Sequence, residues 1–170
     1  MEQQNRPDYG KLILIPALIT LGITLLRLGG EFMDLPSWLA SKKAGGPGAL
    51  IGISWLPPIL GIYFAVKLKG VPGKPWWNLL KTLFLYGLAA RIPVIIIMGL
   101  AIYGNWSTHY STFPGSLSVA THARKFLLGG VMTQLVWWVL IWTVGSGMLT
   151  GSIASFIRSR RPANRNASKM

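Results

Sequence analysis

The sequence predicts an all-α fold: an integral membrane bundle of four antiparallel transmembrane helices in one domain over 1–157, both termini cytoplasmic, with a basic disordered tail over 158–170. Three observations predict it. Of the 170 residues, 51% are apolar or aromatic and 12% are charged, about half the charge of a typical soluble domain. The apolar residues gather into four stretches near the length that crosses a hydrocarbon core of about 30 Å. The charges are lopsided, 17 Lys and Arg against 4 Asp and Glu. The basic residues fall between the apolar stretches, as they do beside a bilayer, so no nucleic-acid partner is expected.

The first span, 12–28, is LILIPALITLGITLLRL, interrupted only by Arg27. Arg6 and Lys11 precede it as in a signal peptide, but the run is long for one and RLGGEF lacks a small-residue cleavage site. An uncleaved helix is expected. The second span, 48–66, has Pro57 and Pro58 near its middle, which should break the helix and free carbonyls around Ile53 and Ser54. The third, 82–103, carries Arg91 near its centre and Pro93, which should open the helix near Ala89. The fourth, 126–157, is long enough to cross with tilt. As buried helices of a soluble protein, these four would leave no amphipathic helices to cover them. The spans show no internal repeat.

With four spans, the two tails and the second loop share a side and hold eleven Lys and Arg, against five on the other. The positive-inside rule places that side in the cytoplasm, and the expected location is a multi-pass protein of the bacterial inner (cytoplasmic) membrane. Trp76, Trp77, Tyr103 and Trp106 sit where aromatic belts form. The second loop, LKGVPGKPWWN, is short and makes helices two and three antiparallel neighbours. In the first outer loop, 35–40 is read as an interfacial turn of helix. The other, GNWSTHYSTFPGSLSVATHARK, is read as either a functional loop or disordered in its middle. Its Asn105-Trp106-Ser107 sequon falls on the predicted outer side.

Arg91 is the most informative residue. An Arg at mid-membrane costs roughly 2.5–3.5 kcal/mol and normally has a partner, which makes it a functional candidate. The partners on offer are Glu31 and Asp34 beyond the first helix, the carbonyls near Ser54, and an anionic ligand or lipid headgroup. Arg27 and Glu31, four apart, form either a surface ion pair that ends the helix or part of one interior network with Arg91. Gln134 should bond to a neighbouring helix, at Thr20 or Thr24. Trp137, Trp138 and Trp142 lie deeper than an interfacial belt and either pack internally, face lipid or line a groove for an acyl or isoprenoid chain. The candidate ligand-binding set is Arg91, Glu31, Arg27, Asp34, Ser54, Tyr63, Gln134 and Trp138. Gly147, Gly151 and Ser155 form a small-residue stripe for close helix approach, within the bundle or from a second copy or partner subunit.

Other chemistries find little support. Cysteine is absent, which excludes disulfides and thiolate chemistry. The two histidines, His109 and His122, are too few for a zinc or haem site, and GGPG at 45–48 lacks the context of a phosphate loop. No metal or cofactor is expected. The leading reading is binding or transport of an anionic ligand or lipid around Arg91. The alternatives are a structural or accessory subunit of a larger membrane complex, and a membrane enzyme acting on a lipid-linked substrate. The enzyme is disfavoured because acids and histidines at depth are nearly absent.

Overall fold

The computed structural model describes residues 8–33, Leu35 and 53–160, and no strand occurs among them. Helix α1 (Tyr9–Phe32) starts at Asp8, whose carboxylate accepts the Lys11 N–H at 3.1 Å. Helix α2 (Leu56–Lys67) follows a 3₁₀ turn at Ile53–Trp55. Helix α3 (Pro75–Tyr103) runs unbroken through Pro93. Helix α4 (His122–Ser159) is 38 residues long. Its first turn is α-helical, Lys125–Ser146 is wound with π geometry, and Gly147–Ser159 returns to α.

Three of these helices, α1, α3 and α4, are long and apolar enough to cross a membrane. The second expected span, 48–66, is not confirmed: among the described residues α2 has 12 residues, about 18 Å, short of a 30 Å core. Pro57 and Pro58 stand in its first turn, where a missing N–H costs nothing, and so they start this helix and do not kink it. Residues 48–52, the expected turn at 35–40 beyond Leu35, and the tail from 161 onward lie outside the described residues. Of the basic tail, 158–159 continue α4. The outer loop after α3 is folded: Ser111 Oγ and Thr112 Oγ1 donate to the Thr108 carbonyl at 3.0 and 2.9 Å, and the Phe113 ring lies against Gly129.

Consecutive helices alternate in direction. Tyr9 donates to Asn78 near the starts of α1 and α3, and Thr20 meets Tyr86 further along both, so these two run parallel. Trp142 and Thr150 of α4 bond to the Ser54 and Pro58 carbonyls, which sets α4 parallel to α2. Gly147 packs on Leu83, Val139 on Gly87 and Phe126 on Gly99, so α3 and α4 run antiparallel. Phe64, Leu83, Tyr86 and Val139 fill the centre.

Polarity is distributed the opposite way from a water-soluble protein. Thr20, Thr24, Asn78, Thr82, Arg91, Gln134 and Thr143 are buried, while Ile15, Ile92, Ile96, Leu100, Leu140 and Leu149 are exposed. In hydrocarbon this is the favourable arrangement, because polar groups there must be satisfied inside the bundle. Hydroxyls do so by back-bonding: Thr20, Thr24 and Thr82 each donate to the carbonyl four residues earlier at 2.8–2.9 Å.

The winding of α4 explains its buried face. Gly130, Gln134, Val139, Thr143, Gly147 and Gly151 are buried at spacings of four and five. At 100° per residue, Gln134 and Val139 would stand about 140° apart, whereas i→i+5 bonding brings them to one face. Near the far end, α2 and α4 approach at backbone distance: a Cβ on Gly61 would collide with the Gly147 carbonyl, and one on Gly151 would lie 2.7 Å from the Gly61 carbonyl oxygen. Gly61→Leu should therefore destabilise the fold by about 1–3 kcal/mol or more through overpacking. Gly22→Ala, in open space on α1, should leave the melting temperature in detergent unchanged or raised.

Candidate functional site

The interior polar groups converge where the second half of α3 meets the end of α1 and the middle of α4. Arg91 lies 16 residues beyond Pro75 and 12 before Tyr103, about 24 and 18 Å along the axis. It is 5% exposed. Its guanidinium stacks over Trp138, with Cζ 4.4 Å from the ring centroid, and Nη1 donates to Gln134 Oε1 at 3.5 Å. Gln134 spends its own N–H on Met98 Sδ at 3.5 Å.

Magnitudes rank these contacts. A desolvated cation–π pair contributes about 2 kcal/mol, whereas a hydrogen bond at the long limit gives less than its usual value. Set against roughly 2.5–3.5 kcal/mol for Arg at mid-membrane depth, the Trp138 face is the main compensation and Gln134 the lesser.

Two expected contacts are replaced. The Ser54 carbonyl accepts from Trp142 Nε1 at 2.6 Å and not from Arg91. Gln134 does not bond Thr20 or Thr24: Thr20 gives its hydrogen to Pro16 and accepts from Tyr86 at 2.8 Å.

Glu31 also departs from expectation. Helix α1 does continue through Gly29 and Gly30, and the Glu31 side chain is fully buried. It turns neither to Arg27 nor to Arg91. One carboxylate oxygen accepts the His109 backbone N–H at 2.8 Å and the other meets His109 Nδ1. The outer loop is thereby tied to the end of α1. Sequence reasoning missed His109 because the match requires the loop's folded path, and spacing along the chain carries no trace of it.

Arg27 stands beside this cluster with its Nε buried and lacking an acceptor, and Thr108 Oγ1 is in the same condition. Among the described residues, Arg27 and Arg91 have no carboxylate partner. Tyr110 lies between the charges. Burial pushes its phenol up to about 12; Arg27 and Arg91 pull it down and Glu31 pushes it further up. Tyr110 is the second residue that sequence reasoning missed, and its signal was an aromatic beside His109 in the one long described loop.

The structure thus brings Arg27, Glu31, Arg91, Gln134 and Trp138 to one region and adds His109 and Tyr110. Ser54 belongs to the Trp142 contact. Tyr63 lies on the exposed side of α2, with Lys67 Nζ 5.9 Å from its ring. Asp34 lies outside the described residues. His122 packs on Tyr103, and no group of three or more metal-ligating side chains occurs among the described residues.

A phenol whose pKa rises from 10.0 to about 12 on folding keeps its proton in the native state while the unfolded chain loses it. Stability therefore falls as pH rises from about 10 to 12. Tyr110→Phe should flatten the detergent melting temperature across that window. Glu31→Gln should raise hydrogen exchange in 104–121 at least severalfold while exchange in 82–100 stays unchanged.

No protein-family model, curated protein or solved structure matches this chain.

Proposed function

We propose that this is a small multi-pass membrane protein that binds an anionic ligand or lipid headgroup at the Arg27–Arg91 cluster beneath the 104–121 loop. One observation carries the reading: the buried Arg91 and the half-buried Arg27, with its buried Nε, lie near a single described carboxylate that is already engaged by His109. An interior with surplus positive charge is attractive to an anion, and an Arg within a span marks a functional site by default. The unsatisfied Arg27 Nε supplies an open donor. Binding requires the loop to yield, because neither of the concavities described for this fold is lined by Arg91. Transport would add passage of the same anion through this point.

The orientation belongs to the same proposal. The start of α1, the end of α2, the start of α3 and the end of α4 share one end of the bundle. Lys11, Lys67, Lys69, Lys74, Lys81, Arg158 and Arg160 lie there, which supports a cytoplasmic placement and residence in a bacterial inner membrane. The accessory-subunit reading draws no comparable support: Gly147 and Gly151 are packed against Leu83, Leu79 and Gly61 of the same chain.

The experiment is thermal unfolding of the full chain in dodecyl maltoside with acetate, phosphate or glycerol 3-phosphate, anions that carry no acyl chain. At least one anion should raise the midpoint by about 3 °C or more in wild type and Arg91→Lys, and less than 1 °C in Arg91→Gln and Arg27→Gln. Equal responses in wild type and both Gln variants remove the proposal.

A further inference from the structure

The largest concavity described lies at the opposite end of the bundle, between the α2–α3 connection and the last turns of α4. It encloses about 600 Å³, within the range of small-molecule sites. Its floor is apolar, with Leu68 and Leu79 buried beneath Val71 and the exposed Trp76. Its rim is cationic, with Lys69 and Arg158 both exposed and the Ser155 and Ser159 hydroxyls beside them.

We infer that this cleft is a specific site for one anionic phospholipid, whose phosphate meets Lys69 and Arg158 while an acyl chain lies over Leu68, Val71 and Leu79. Charge complementarity selects the occupant. No described acid is free to neutralise the rim: Asp8 pairs with Lys11 at 3.5 Å, and Glu31 is tied to His109 at the other end. The chain that follows Arg160, RPANRNASKM, is itself cationic, so it does not supply the missing charge. A free inorganic anion would leave the apolar floor uncovered. A zwitterionic lipid would cover the floor and oppose the rim with its own ammonium. Anionic lipid is the species that meets both walls, and each Lys or Arg near such a surface adds about 1 kcal/mol of attraction, roughly fivefold in affinity per charge.

The test is native mass spectrometry and thermal unfolding of the full-length protein in dodecyl maltoside. The probes are dioctanoyl phosphatidylglycerol, dioctanoyl phosphatidylcholine and inorganic phosphate. Wild type should retain phosphatidylglycerol at least tenfold better than phosphatidylcholine, and any shift with phosphate should be the same in wild type and in the Lys69→Gln/Arg158→Gln double variant. The Lys69→Gln/Arg158→Gln double variant changes only exposed side chains and so should fold. It should lose the preference while still taking phosphatidylcholine. Ser155→Trp, which fills the cleft, should lose both lipids. Arg91→Gln should keep the preference, so that this site and the anion cluster fail separately. Equal retention of the two lipids, a phosphate shift that the double variant abolishes, or a preference that survives in the double variant overturns the inference.

Discussion

A cation enclosed by apolar helices sets the terms for the rest of this fold. Arg91 is buried in α3, where water is not available to solvate it, and an unpaired charge in such surroundings is among the costliest arrangements a protein holds. The surrounding sequence answers with a π-face and an amide oxygen, neither of which carries a full negative charge. The cation is accommodated without being neutralised. Had Glu31 turned to Arg91, the region would be a closed ion pair with little reason to attract anything. Its engagement by His109 leaves the two arginines without a carboxylate partner among the described residues.

The same constraint governs the uncharged polar groups. Thr20, Thr24 and Thr82 return their hydrogens to their own helices, while Tyr86, Trp142 and Thr150 cross to neighbours and fix how the helices sit together. Satisfying polar atoms and positioning helices are here one act, because in an apolar medium an unmade hydrogen bond costs more than imperfect packing between apolar side chains.

The sequence made the apolar lengths of α1, α3 and α4 and the buried position of Arg91 legible, since each follows from hydropathy or from one charge in an apolar run. Trp138 and Gln134 were recognisable as candidates, although their link to Arg91 was not. Three things were hidden. Pro57 and Pro58 were read as interior breakers, because nothing local distinguishes a proline that starts a helix from one that interrupts it when apolar residues lie on both sides. The Glu31–His109 tie joins residues 78 apart, and its formation depends on how the loop folds over Gly129. The burial pattern of α4 was obscured because a 3.6-residue period scatters Gln134, Val139 and Thr143 around the axis, while the observed winding collects them.

That winding makes the buried face of α4 depend on its number of residues as well as on their identity. In an α-helix a side-chain replacement perturbs locally, whereas a one-residue deletion turns everything beyond it by about 100°. Between Gln134 and Gly147, each i→i+5 step holds one residue more than an α-turn would need. Removing a residue there offers the segment a relaxed geometry, at the expense of swinging the amide and indole away from the guanidinium or the glycines away from Gly61. Insertions and deletions in this segment act as torsional lesions, coupling two ends of the molecule that no shared side chain connects.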